Sequence, residues 1–285
     1  MLGEDYPGGD SGARWPIGAG ARAFSSMLAG SLVADELMSL DEPVALTLGD
    51  WGFHPVKSQI SIRALLNGTS GIAFGERGGG DARAAIALEP VASLGERFID
   101  DSAPYVLLAE IARRKLELAG RSPDPAHYFT ERTLAPIGCV PIGWTRGGDG
   151  APWFHDGVAL SARAWAQTGE LIRREGVWRA QQLVNEYAMR EALRGSFAEA
   201  RAGMGLWLAA PSRGARDPAG IDSDLWRGAS SAPFDLAMAA GAGGQRLYII
   251  PSMRILIVRL SQTPDPRADW SDAEFLSLLL RDLEV

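Results

Sequence analysis

The sequence predicts an α/β protein of the α+β kind, with an all-helical lobe and an antiparallel sheet in one domain. Three observations predict it. Apolar residues recur at helical spacing in several segments before residue 200, as at Val106, Leu107, Leu108, Ile111 and Leu116. The period then changes: Leu236–Pro251 and Arg254–Leu260 read as strands joined by tight turns, an antiparallel meander. A last amphipathic helix, about Asp272 to Leu283, offers Phe275, Leu276, Leu279 and Leu280 to that sheet.

The first element is a helical run from about Arg22 to Glu36, with Phe24, Leu28, Leu32 and Val33 on one face. Small residues precede it at Gly18-Ala-Gly-Ala21, as where a backbone makes a tight approach. Asp41-Glu-Pro43 then turns the chain. A short helix with Ile60, Ile62, Leu65 and Leu66 buried stops at Gly68-Thr-Ser-Gly71. Further helices are expected from Pro104 to Leu118, from Ser161 to Glu175 with Ala162, Trp165, Leu171 and Ile172 inward, and from about Arg179 to Arg194. Gly205–Ala210 is strand-like, and 211–231 is a polar loop. The lobes divide as about 45–200 (helical) and 16–44 with 201–285 (sheet); residues 1–15 are expected to be a flexible tail.

A chain of 285 residues buries a full core. Its net charge of −7 argues against nucleic acid as a partner. Lys57 and Lys115 are the only lysines among 28 basic side chains, a compositional bias rather than a binding signal. Cys139 stands alone, so no intrachain disulfide forms. His54, His127 and His155 have no metal-ligand spacing, so neither a metal nor another cofactor is expected. No apolar run is long enough to span a bilayer, and the acidic, Gly-rich start is not a signal peptide. The expectation is a soluble protein, cytoplasmic as given or periplasmic if the native start lies upstream.

Ser39-Leu-Asp-Glu-Pro-Val44 and Ile60-Ser-Ile-Arg-Ala-Leu-Leu-Asn-Gly-Thr-Ser-Gly-Ile72, at this spacing after the first helix, resemble the β-lactamase-related serine hydrolases. That family includes class C β-lactamases, penicillin-binding proteins and esterases. Pro136-Ile-Gly138 and the segment 160–178 add to the resemblance, which covers roughly residues 16–285. It implies a sheet flanked by helices plus a helical lobe. It also implies strands ahead of the first helix; with 18 residues before Ala19, the expectation is that they are missing from this chain. A short sheet with an open edge would invite homodimerisation.

The resemblance further implies three catalytic motifs, and each departs from pattern here. Ser-x-x-Lys falls on Ala19-Gly20-Ala21-Arg22, with no hydroxyl at the first position. Arg22 stays protonated and is no base. The proton-shuttling Tyr falls on Asp100, and the site-lining Asn or Ser on Ser102. An ordinary N-cap for the following helix is the competing reading of Asp100 and Ser102. The Lys-Thr-Gly or His-x-Gly motif falls on Ala242-Gly243-Gly244-Gln245, which reads equally as a turn or bulge without a ligand. By resemblance, the backbone N–H groups of Ala19 and Gln245 stand where the oxyanion hole lies. His155, beside Asp156, faces either the cleft or solvent.

The resulting expectation is a catalytically inactive relative whose remnant cleft, with Gly20, Ser102, His155, Gly243, Gly244 and Gln245, binds a small carboxylate- or amide-bearing ligand or a protein partner. The alternative is an active hydrolase (esterase, amidase or β-lactamase type) built on Asp100, Ser102 and His155. A third possibility is a regulatory subunit beside an active paralogue.

Overall fold

The computed structural model describes residues 3–7, 9–209, 221, 223–226, 232–261 and 270–281. Most of the predicted polar loop 211–231, together with Ala210 and the predicted helix end at 282–283, lies outside the described residues.

The chain opens with the short strand β1 (Trp15–Pro16) and a 3₁₀ turn, Gly18–Arg22. Helix α1 (Ala23–Ala34) follows. The predicted single apolar face is too narrow a description of α1: every residue from Ala23 to Leu32 is buried, Ser25, Ser26 and Ser31 included. The helix runs through the centre of the domain, and two of its three buried serine hydroxyls use internal partners, while the Ser25 hydroxyl has none. Ser26 bonds back to the Ala23 carbonyl and Ser31 to that of Met27.

Helix α2 (Ile62–Leu66) starts at Ser61, whose hydroxyl accepts from the Ala64 N–H at 3.1 Å. Ile60, Ile62, Leu65 and Leu66 are all buried, as expected. Helices α3 (Ala82–Ile86), α4 (Ala103–Leu118) and α5 (Pro125–Phe129) complete the first part of the helical lobe. Strand β2 (Ala159–Leu160) pairs antiparallel with β1. Helix α6 (Ala162–Arg173), capped by Ser161, buries Trp165, Leu171 and Ile172, while Ala162 is only half-buried.

The helix expected over 179–194 begins later. Strands β3 (Val177–Trp178) and β4 (Gln181–Gln182) form a hairpin first, and α7 spans only Glu186–Ala192, capped by Asn185. The helical lobe is therefore not wholly helical.

Strands β5 (Trp207–Leu208), β6 (Ala237–Gly241), β7 (Gln245–Ile250) and β8 (Ile255–Arg259) form an antiparallel sheet in that order. Strand alternation divides the core. Ala237, Ala239, Leu247 and Ile249 join the main core with α1 and α6. Met238, Tyr248 and Ile250 face the other way, toward helix α8 (Asp272–Leu280). Leu276 is buried in that second cluster and Phe275 and Leu280 pack on it; Leu279, expected to do the same, is exposed.

Asp272 ties α8 down. Its fully buried carboxylate accepts from Arg246 at 2.9 and 3.2 Å, from Trp270 Nε1 at 3.0 Å and from the Tyr248 hydroxyl. At the other terminus, Glu4 takes two hydrogen bonds from Arg163, at 2.8 and 2.6 Å. The tail predicted to be flexible is thus attached to α6 at that point.

Candidate functional site

Small residues let three backbone segments meet. A Cβ at Gly241 would lie 2.1 Å from the Ile17 carbonyl oxygen, and one at Gly205 would lie 2.3 Å from that of Arg22. Gly18, at φ +57°, brings the start of the 3₁₀ turn against Gly241 and Ala242. The elements bearing Ala19 and the Ala242 turn are therefore neighbours. Gly20 is placed otherwise than expected: it is buried against the Trp165 ring, where a Cβ would meet Cζ2 at 2.7 Å, and does not line a cleft.

Arg22 reaches across to Asp100, and the guanidinium donates to the carboxylate in a close ion pair. The two side chains are 19% and 12% exposed, so the pair is largely dry. The Arg22 guanidinium also sits over the Tyr105 ring, 5.3 Å from its centroid. Its Nε is buried without a partner.

Burial works against the Arg22 charge, but Tyr105 and Asp100 outweigh it and hold the proton more tightly than usual. Burial pushes the Asp100 carboxyl up, and Arg22 only partly offsets this. The two directions pull differently on one pair. The guanidinium decides the outcome, because Arg is not deprotonated in proteins and a carboxylate is its natural acceptor. The pair is ionised.

Asp101 is a member that the sequence did not reveal. Its carboxylate accepts from the N–H groups of Phe74 at 3.0 Å, Gly75 at 3.1 Å and Ala103 at 2.8 Å. It, rather than Ser102, secures the start of α4. Ser102 occupies the N-cap position, but its hydroxyl makes no capping bond. Tyr105, one turn into α4, was also missed. It is 8% exposed, and burial pushes its phenol up to about 12, so it holds its proton at neutral pH.

His155 comes to the same place, half-buried, with its ring 5.3 Å from that of Trp153. Its Nδ1 is buried without a partner. Burial and then Arg22 push its pKa down to about 4, against a smaller pull from Asp101. It is neutral at pH 7. Asp156 lies close to Gly18, and burial raises its carboxyl while Arg22 lowers it.

The third motif is a tight turn, Ala242–Gly244, between β6 and β7. Gly243 and Gly244 have φ of 71° and 75°, which only glycine adopts freely. Arg259 donates to the carbonyls of Gly243 at 3.3 Å and Gly244 at 2.7 Å, and stacks on Trp270 at 3.8 Å. Ala242 is exposed. Gln245 does not offer its side chain to a cleft: the amide is buried and pairs with the Ser261 backbone at 2.9 and 3.0 Å.

Arg22, Asp100 and His155 are thus brought together, with Ala19 and Ala242 on adjoining backbone. A groove of about 620 Å³ lies elsewhere, between Arg83, Glu110, Arg114, Arg146 and Asp149, and contains none of the motif residues. Among the described residues no group of His, Cys, Asp or Glu has the arrangement of a metal site, and no helix is long and apolar enough to cross a membrane.

A four-stranded antiparallel sheet with a central helix beneath it, a C-terminal helix on its other face and a helical lobe defines a fold of the β-lactamase and penicillin-binding class. The β-lactamase family model matches residues 10–281, and the chain belongs to that family.

Solved structures of the same fold include a β-lactamase/D-alanine carboxypeptidase from Pseudomonas syringae, at 16% identity and a TM-score of 0.71, covering 97% of this chain and 86% of that one. A putative β-lactamase from Bacteroides dorei matches at 15% identity and 0.70, covering 96% and 86%. A family VIII carboxylesterase matches at 14% and 0.66, covering 89% and 78%. Identities this low speak for the fold alone. No curated protein matches the chain by sequence.

Proposed function

We propose that this protein is a non-hydrolytic member of its family, which binds a small ligand or a protein partner at the remnant cleft. The observation that carries this reading is the Arg22–Asp100 ion pair. By the resemblance, these positions belong to a Lys and a Tyr that move a serine's proton. Here they hold each other in a charged pair that exchanges no proton at neutral pH, beside an alanine in place of the nucleophile. Losing the nucleophile of such a unit costs on the order of 10⁶ in kcat.

An alternative nucleophile at Ser102 finds no support. Its hydroxyl has no hydrogen bond to His155 or Asp100 among the described residues, and nucleophilic catalysis needs such a base. Of the two ligand classes, the amide-bearing one fits better. Arg22 is already engaged by Asp100, and Asp101 and Asp156 lie within electrostatic reach of it. A carboxylate would meet these acids with no free guanidinium to receive it.

The test is intact mass after incubation with a fluorophosphonate and, separately, a penicillin, on protein verified as folded. No adduct is expected. A stoichiometric adduct would overturn the reading, and the labelled peptide would name the serine.

A further inference from the structure

Away from the cleft, the end of α6, strand β3 and the β7–β8 turn border one open pocket of about 570 Å³, lined by Arg173, Arg174, Glu175, Val177 and Arg254. The α6 C-terminus supplies the first. Gly176 N–H bonds to the Leu171 carbonyl and Glu175 N–H to that of Ile172, a helix stop that normally places glycine in the left-handed conformation. Here Glu175 occupies it, at φ 52°. The β3–β4 hairpin supplies the second through Val177, while its turn residues Arg179 and Ala180, at φ 46° and 65° where Asn-Gly is usual, do not line the pocket. The third is the β7–β8 turn, where Arg254 sits at φ 54°. Of the five non-glycine residues with positive φ among the described residues, Glu175 and Arg254 line the pocket. Backbone strain on two separate elements that border one pocket points to function there.

The charges say which function. Arg173 is engaged by Glu170 through two bonds of 2.7 Å, and Glu175 by Arg190 at 2.9 Å. Arg174 and Arg254 are exposed, and their side chains have no ion pair or hydrogen bond among the described residues. Two uncommitted guanidiniums therefore border one pocket in a chain of net charge −7. The negative end of the α6 dipole accounts for a cation at 174. It does not account for one at 254, on another element, in a conformation glycine prefers.

We propose that Arg174 and Arg254 form an oxyanion site that takes a phosphoryl group, their planar forks matching its oxygens. The site is independent of the remnant cleft. The phosphoryl group is that of a small soluble anion or of a lipid headgroup.

Calorimetric titration of the whole chain with inorganic pyrophosphate tests this, beside sedimentation with phosphatidylcholine vesicles with and without phosphatidylserine. The variants are Arg174→Gln and Arg254→Gly, with Arg83→Gln as an exposed control. Saturable binding is expected, weakened at least about tenfold in R174Q and R254G but not in R83Q. R254G relieves the strained turn, so its Tm rises by about 2 °C while binding falls, which separates lost binding from lost folding. Pyrophosphate binding without vesicle binding assigns a soluble anion. Binding to phosphatidylserine vesicles that fails in the same variants assigns a headgroup. Absence of both, or R254G binding as the wild type does, would overturn the site.

Discussion

Arg22 and Asp100, 78 residues apart in sequence, hold each other in a largely buried ion pair where α1 begins and α4 is about to. Removing one partner leaves the other charge desolvated and unpaired. Arg22→Met or Asp100→Leu alone is expected to destabilise by about 2–4 kcal/mol. The double variant should cost clearly less than the sum, because it strands no charge. Urea unfolding of the four proteins measures this, and additive costs would show that the pair carries no coupling.

Restoring the hydroxyl alone should not restore chemistry. In Ala19→Ser the new side chain meets an arginine that cannot take its proton. No fluorophosphonate adduct is expected at neutral pH. The triple variant A19S/R22K/D100Y frees the lysine from its carboxylate and is expected to label. Labelling of A19S by itself would show that some other group in the cluster serves as base.

His155 makes stability depend on pH. Its folded pKa is pushed down to about 4, whereas the unfolded chain protonates near 6.5. Between these values the unfolded state binds more protons, so this stability is present above pH 6.5 and lost as pH falls toward 4. The loss is about 2 kcal/mol, allowing for the ring's partial contact with water. Asp100 and Asp156 act with the opposite sign, since raised carboxyls gain stability as pH falls through their folded values. The His155 contribution is therefore read from wild type minus His155→Asn, by unfolding between pH 4 and 7.5. Parallel curves would mean that the ring protonates as freely folded as unfolded.

Much of this was legible along the chain. Helical spacing located α2, α4 and α6, because each lays one apolar stripe on the core. The change of period after residue 200 located the sheet. The residues at the expected motif positions, Ala19, Arg22, Asp100 and Ala242, were named through the family resemblance rather than through any local period. The central burial of α1 was not legible, because its serines look like a polar face, although Ser26 and Ser31 bond to carbonyls of their own helix. The β3–β4 hairpin escaped notice because its turn is Arg179-Ala180, without the glycine that marks such turns.

The sequence by itself determined the family, the order of helices and strands, and the Ala19 and Arg22 side chains that precede the first helix. Only the tertiary structure decided what surrounds Arg22. Asp101, Tyr105 and Asp156 join Arg22 through contacts distant in sequence, which no local period encodes. Whether an arginine is free or engaged depends on which carboxylate the fold brings within reach and how much water it excludes. That same physics commits Arg22 to Asp100 and leaves Arg174 and Arg254 open to an anion.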